Sequence, residues 1–349
     1  MTARRTVCTS LVSALLALAV GTATGTAQEK PRKKRTAVNI DDPKQAAARP
    51  DFRAQGEYVG EIRTKDGPKK IGVQVMTKGN RKTGAIAFEA VGYGGGLPGA
   101  GWNSKEPERV ESESAKGVIT FAGKHGRAEL GGGVIKVFNA GGEEIGRLEK
   151  THRKSPTLGK KPPPGAVVLF DGKTADLFEN GELTKDGLLT QGKKQGAETR
   201  REFGSCHLHL EFRVPYRPFA SGQGRGNSGV YLQGRYEVQV LDSFGDSPGH
   251  DRGGGIYQVA PPRKNMCLPP LSWQTYDIDF RAAVYEGDKQ VRPATLTVRH
   301  NGVLTHENVP VPKETVAAIR KAGPRKGPLH LQNHGSPVRY RNIWLVEKD

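Results

Sequence analysis

Glu237, Gln239 and Asp242 stand within one strand's length of each other, with Asn227, Gln233 and Arg235 just before them. Gln332, His334 and Arg341 follow near the C-terminus. Carboxylates and histidine move protons near neutral pH, and amides and guanidinium groups hydrogen-bond sugar hydroxyls. The combination suits glycosidic-bond chemistry. The candidate catalytic residues are therefore Glu237, Asp242 and His334. The candidate substrate-binding residues are Asn227, Gln233, Arg235, Gln239, Tyr257, Gln332 and Arg341. A divalent metal held by Glu237 and His334 is an alternative electrophile. No spacing demands one, and no cofactor is implied with certainty.

These residues need a strand to align them. Between Val230 and Val240 the even positions, Val230, Leu232, Gly234, Tyr236, Val238 and Val240, suit a core. The odd positions, Tyr231, Gln233, Arg235, Glu237 and Gln239, form a polar face. The alternation predicts a strand over 229–241. Asp242 lies three residues beyond Gln239, on the wrong face of a regular strand. A one-residue bulge at Val240–Leu241 would return it to the polar face. In GPLHLQNHGSPVRYRNIW (327–344), His330, Gln332 and His334 alternate with Leu329 and Leu331. Gln332 and His334 are expected to join the carboxylates, with Arg341 or Asn342 nearby. His330 reads as a surface residue, and Trp273 and Tyr276 as core aromatics.

The chain has 349 residues, 46 of them glycine, with 35% hydrophobic residues, and its β-branched runs are short and broken by turns. This predicts an all-β protein of two domains. Residues 1–27 carry Arg4 and Arg5, an apolar stretch at 11–20 and small residues before Gln28. They read as a secretory signal peptide, so the expected location is periplasmic or extracellular. No other apolar run approaches a membrane span. The formal charge is +18, and loss of Arg4 and Arg5 with the leader lowers it to +16. Export and the absence of any nucleic-acid-binding motif argue against a nucleic-acid partner. The basic surface suits anionic envelope or polysaccharide instead.

Residues 28–50, including EKPRKKR, read as a flexible basic leader. A small β-rich domain of unassigned role is expected over 51–150, with GYGGGLPGAGW (92–102) as a glycine loop around Trp102. A stiff, exposed Pro/Lys linker follows over 151–165. The second domain spans 166–349, with a hairpin turn at Asn301-Gly302 and one short helix at 314–323. Many antiparallel strands predict a β-sandwich. Of the three cysteines, Cys8 leaves with the leader, and Cys206 and Cys267 are either bridged or free.

LFDGKT, NSGVYLQGRYEVQVLDS, GGIY, NMCLPPLSWQTYDI, NGV and LQNHGSPVRYRNIW occur in this order over about 166–347. Together they resemble the 3-keto-disaccharide hydrolase family, also described as 3-keto-glucoside lyases with glucal-hydratase activity. The resemblance implies a concanavalin A-like jelly roll with a concave sugar groove, similar in fold to family 16 glycoside hydrolases. The catalytic strand of those enzymes reads Glu-x-Asp-x-Glu, or Glu-x-Asp-x-x-Glu when bulged. This chain has Glu237-x-Gln239-x-x-Asp242. The middle acid is an amide, which departs from a two-carboxylate retaining mechanism. On a 3-keto sugar, β-elimination followed by hydration needs one base, one acid and a group that polarises the ketone. The resemblance points to Glu237 or His334 as base and Asp242 as acid. Arg235, Gln239 and Gln332 would hold hydroxyls or the enolate. Two alternatives remain on the same fold: a non-catalytic lectin-like carbohydrate-binding module, and an ordinary endo-glucanase. Neither the aglycone nor the oligomeric state is legible.

Overall fold

The computed structural model describes residues 38–112 and 117–348; residues 1–27, where the sequence predicts a signal peptide, and residues 28–37 lie outside them. The first eight strands are β1 (Gly56–Thr64), β2 (Gly67–Gly79), β3 (Ile86–Gly94), β4 (Glu108–Glu111), β5 (Ile119–Gly123), β6 (Gly126–Gly131), β7 (Val134–Asn139) and β8 (Glu144–Thr151). They form one antiparallel sheet in the order β4-β3-β2-β1-β8-β7-β6-β5. Ser112 bridges Phe121, so the two edge strands meet and the sheet closes into a barrel. Closure removes the exposed edges that an open sheet would leave. Alternate residues, among them Tyr58, Val75, Phe88, Phe121, Ile135 and Leu148, fill the interior.

The remaining strands build a sandwich. They are β9 (Val167–Phe170), β10 (Phe178–Glu179), β11 (Glu182–Leu183), β12 (Leu189–Thr190), β13 (Gly196–Phe203), β14 (Cys206–Arg213), β15 (Asn227–Leu232) and β16 (Tyr236–Leu241). After them come β17 (Gln274–Arg281), β18 (Val284–Glu286), β19 (Lys289–Arg292), β20 (Ala294–His300), β21 (Val303–Val311), β22 (Gly327–Gln332) and β23 (Arg339–Glu347). One sheet has the order β10-β13-β22-β15-β16. The other runs β11-β12-β23-β14-β17-β20-β21, with β9 beside β23. The all-β jelly-roll sandwich expected from the sequence is thus present, beside a smaller β-rich unit. Its core takes the inward residues of both sheets, including Val230, Val238 and Leu331 against Leu210, Tyr276 and Ile278. Burying each such side chain contributes about 1.5–3 kcal/mol. Truncating Leu210 to alanine would cost about 2–5 kcal/mol. Cys206 and Cys267 are both buried and free.

Four local expectations are corrected. The stretch 229–241 is a hairpin rather than one strand. Gln233 and Gly234 both have positive φ (54° and 63°), and Arg235 N donates to Leu232 O at 3.0 Å. Gly234 has no Cβ to oppose that conformation. The stretch 314–323 is not helical. The amides of Thr315, Ile319 and Arg320 donate to Arg235 O and Gly234 O, so they are not available to an α-helical ladder. The basic leader is ordered from Val38. Ile40 exchanges backbone hydrogen bonds with Tyr216, and α1 (Pro43–Ala47) and α2 (Pro50–Ala54) follow. Each helix starts on a proline, whose missing N–H costs nothing there.

The linker is the fourth. The sequence predicts an exposed spacer, yet the segment is fastened to the larger sheet of the sandwich. Ser155 Oγ lies 2.6 Å from Thr275 Oγ1, and Thr157 Oγ1 donates to Asp277 Oδ2 at 2.8 Å. Barrel and sandwich also share a core of Met76, Val91, Tyr93 and Phe244, with Trp102 packed beside them.

Candidate active site

The hairpin sets the geometry of the site. The β15–β16 register pairs Tyr231 with Glu237, Gly229 with Gln239 and Asn227 with Leu241. Partners therefore share parity, and the odd residues of both strands stay on one face. That is why the sequence alternation holds across a turn it did not reveal. On the neighbouring strand β22, His330 pairs with Tyr231.

Glu237 is 2% exposed, and no cation pairs with it among the described residues. Tyr231 Oη donates to Glu237 Oε2 at 2.8 Å. The same hydroxyl lies 3.2 Å from Val316 O, and Gln332 Nε2 donates to it at 3.1 Å. One phenolic proton thus faces two acceptors, and it can turn to Val316 O when Glu237 is protonated. Burial pushes the Glu237 carboxyl up to about 8, against the lowering effect of the Tyr231 hydrogen bond. Burial and the adjacent carboxylate push Tyr231 well above a normal phenol. Glu237 Oε1 lies over Gly229, where any Cβ would collide with it and with the Tyr231 ring. The glycine of NSGVYL is the space that the carboxylate occupies.

Around this centre stand polar atoms with no partner. Asn227 Oδ1, Gln239 Oε1 and His330 Nδ1 are buried and unbonded among the described residues. Gln223 accepts from Asn227 Nδ2 at 2.9 Å and from Gln239 Nε2 at 3.3 Å. Unpaired buried polar groups are costly, and these three lie on the same face of the sheet as Glu237. Tyr257 is half-buried beside it, and its amide donates to Glu237 O at 3.2 Å. This loop, GGIY, covers the edge of β16 through the Val238–Ile256 bridge.

The structure gathers Glu237, Gln239, Asn227, Tyr257 and Gln332, and separates the other candidates. The bulge at Val240–Leu241 is absent, because pairing runs regularly to Leu241. Asp242 turns instead to Arg225, whose Nε and Nη2 donate to Oδ2 at 3.1 and 2.7 Å in the interior. His334 sits exposed in the turn after β22 and makes no hydrogen bond to Glu237. Gln233 Nε2 donates to Phe203 O, and Arg235 donates to Lys321 O and Arg325 O. Both hold loops at the hairpin tip. Arg341 belongs to the opposite sheet, where its Nε donates to Glu211 Oε2. Among the described residues no group of three or more His, Cys, Asp or Glu side chains is placed to hold a metal ion.

Sequence reasoning missed Tyr231, His330 and Gln223. Tyr231 stands on the predicted polar face, but the alternation alone gives it no role. His330 is 2% exposed rather than superficial, packed edge-on against Tyr231 at 5.4 Å. Burial and Arg320 lower its imidazole to about 4, so it is neutral. Its alternation with Leu329 and Leu331 was the available signal.

A family model described as "3-keto-alpha-glucoside-1,2-lyase-like domain" matches residues 165–346, just over half of the chain. Two crystal structures from Parabacteroides distasonis ATCC 8503, each described as a "putative glycosyl hydrolase", are similar to it. The first shares 33% identity over 53% of this chain and 85% of that chain, with a TM-score of 0.47. The second shares 17% identity over 53% of this chain and 95% of that chain, with a TM-score of 0.38. No curated protein matches the chain.

Proposed function

The chain belongs to the 3-keto-alpha-glucoside-1,2-lyase-like family, and from that premise we propose that it cleaves 3-keto-glycosides by β-elimination followed by hydration. Membership makes it a glycoside-acting enzyme of the hydrolase or lyase type. The finer reading rests on one observation: Glu237 is a buried carboxyl without a cation, raised to about 8, facing unpaired amides.

A base with a pKa near the working pH combines availability with proton affinity. In this reading Glu237 Oε1 removes the C2 proton, acidified by the C3 ketone. The C2–H electrons form the C1=C2 bond, and the C1–O bond breaks towards the aglycone oxygen. The protonated Glu237 returns a proton to that oxygen. Water then adds to the 2-hydroxy-glucal, with oxygen at C1 and hydrogen at C2, and gives the 3-keto sugar. Tyr231 stabilises ionised Glu237 by donating to Oε2. Asn227, Gln239 and Gln332 serve hydroxyl groups. Asp242 takes no part, because Arg225 holds it. Export by residues 1–27, and separate roles for units 51–150 and 166–349, belong to the same proposal.

The test is product analysis by NMR in D₂O with a 3-keto-glucoside and its unoxidised counterpart. The expected result is cleavage of the keto sugar alone, with deuterium at C2 of the product. Cleavage without deuterium would replace elimination by direct hydrolysis. Tight binding without cleavage would make the domain a lectin-like module.

A further inference from the structure

A cavity of about 1210 Å³ lies away from Glu237. It opens at one mouth of the barrel, between the ends of its strands, the α1–α2 strap and the loop at Pro269–Ser272. Sites for small organic ligands occupy about 300–1,000 Å³, so there is ample room for one. Its barrel wall is aliphatic and aromatic: Ile86, Phe88, Ile119 and Leu130.

The charged groups at the mouth that lack an ion-pair partner have one sign. Arg49 is paired with Asp51 and Arg153 with Glu57, so these charges cancel locally. Lys150 and Arg53 have no carboxylate partner among the described residues. Lys150 Nζ, projecting inward two residues after interior Leu148, donates to the carbonyls of Arg53 and Gln55. An ammonium has three N–H groups, so one is left over. Arg53 Nη1 donates to Ala47 O and Ala48 O, leaving the rest of its guanidinium free. Gln55 is 3% exposed, and its Nε2 has no acceptor. These three unsatisfied groups are donors, and two are cationic, above an apolar wall. The missing partner is an acceptor and an anion with an apolar body.

We propose that this mouth is a second binding site, for an aliphatic carboxylate. The head accepts from Lys150, Arg53 and Gln55 Nε2, and the chain lies along Ile86, Phe88, Ile119 and Leu130. The site is independent of the chemistry at Glu237.

Calorimetric titration of the full chain with sodium dodecanoate tests this. Dodecyltrimethylammonium, with the same tail and opposite charge, and acetate, with the head alone, are the controls. The expected result is one dodecanoate per chain, at least tenfold weaker binding of the ammonium amphiphile, and no heat with acetate. Lys150→Met and Ile86→Glu should each weaken dodecanoate at least tenfold. Ile86 is only half-buried, so its variant folds even where loss of Lys150 disturbs the strap. Equal affinity for the two amphiphiles, or unchanged dodecanoate binding in the folded variants, would overturn the proposal.

Discussion

On the larger sheet of the sandwich, Glu211 accepts from Gly159 N, Arg341 Nε and Asn342 Nδ2 at 2.5, 2.6 and 2.9 Å. On the five-stranded sheet, Glu237 accepts from one phenol. Both carboxylates are 1–2% exposed, and both sit on the outer face of a sheet. Beside Glu211, His209 Nδ1 contacts Asp277 Oδ1 at 2.8 Å, Trp344 stacks on the imidazole, and the linker closes over them through Thr157 and Gly159. Burial pushes Glu211 up, but the bonds from His209, Asn342, Gly159 and Arg341 outweigh it and hold it at about 2. Similar residue types in similar burial therefore serve opposite ends. Around Glu211 the hydrogen bonds are made, and they fasten a segment of chain. Around Glu237 polar atoms are left without partners, which is what the proposed reaction uses.

The comparison can be broken at Glu237 first. Glu237→Gln should lower turnover of a 3-keto-glucoside about 10³-fold, within the range of general acid–base catalysis. Its stability should change with the opposite sign to that of a lost ion pair. A carboxyl whose folded pKa is raised from 4.5 to about 8 contributes stability that is full below pH 4.5 and is lost as pH rises through 8. Chemical denaturation should therefore show the wild type losing a few kcal/mol relative to Glu237→Gln across that window. A flat difference would mean that Glu237 is not buried as a neutral acid.

Glu211→Gln is the counterpart. It should leave turnover unchanged and cost about 3 kcal/mol in urea unfolding, because Arg341 and His209 lose a buried charge partner. Here the folded pKa is depressed, so the contribution is present above pH 4.5 and fades as pH falls towards 2. Loss of turnover in this variant would join the two faces functionally.

Tyr231→Phe should lower turnover about tenfold, as expected for loss of a hydrogen bond to a charged group worth about 1.5 kcal/mol. It should also move the rising limb of the pH–rate profile upward, since the phenol lowers the Glu237 pKa. An unmoved limb would separate Tyr231 from the base. The smallest effect is expected from Thr157→Val, about 1 kcal/mol of stability and no change in turnover. It sharpens the claim that the linker is fastened by these side chains.

The contrast also explains what could be read in advance. Alternation in VYLQGRYEVQV marked the polar face correctly, because partners in this register share parity. It could not show that Gln233 and Arg235 spend their donors on carbonyls of distant loops. Nor could it place a bulge. The expected one on β16 is absent, whereas β23 has a register shift beside Asn342, whose φ is +45°. That shift turns Arg341 and Trp344 to the same outer face, away from the residues they were grouped with.

The sequence by itself determined the all-β class, the sandwich with its smaller β companion, and the strand that carries Glu237, because period-two patterns and turn residues are local. Only the tertiary structure decided which carboxylate has a cationic partner. Asp242 and Glu237 lie on adjoining segments, but Arg225 reaches one, while Tyr231 and the glycine gap at Gly229 shape the other. A pKa depends on what surrounds a group in space, and those neighbours come from strands far apart in the chain.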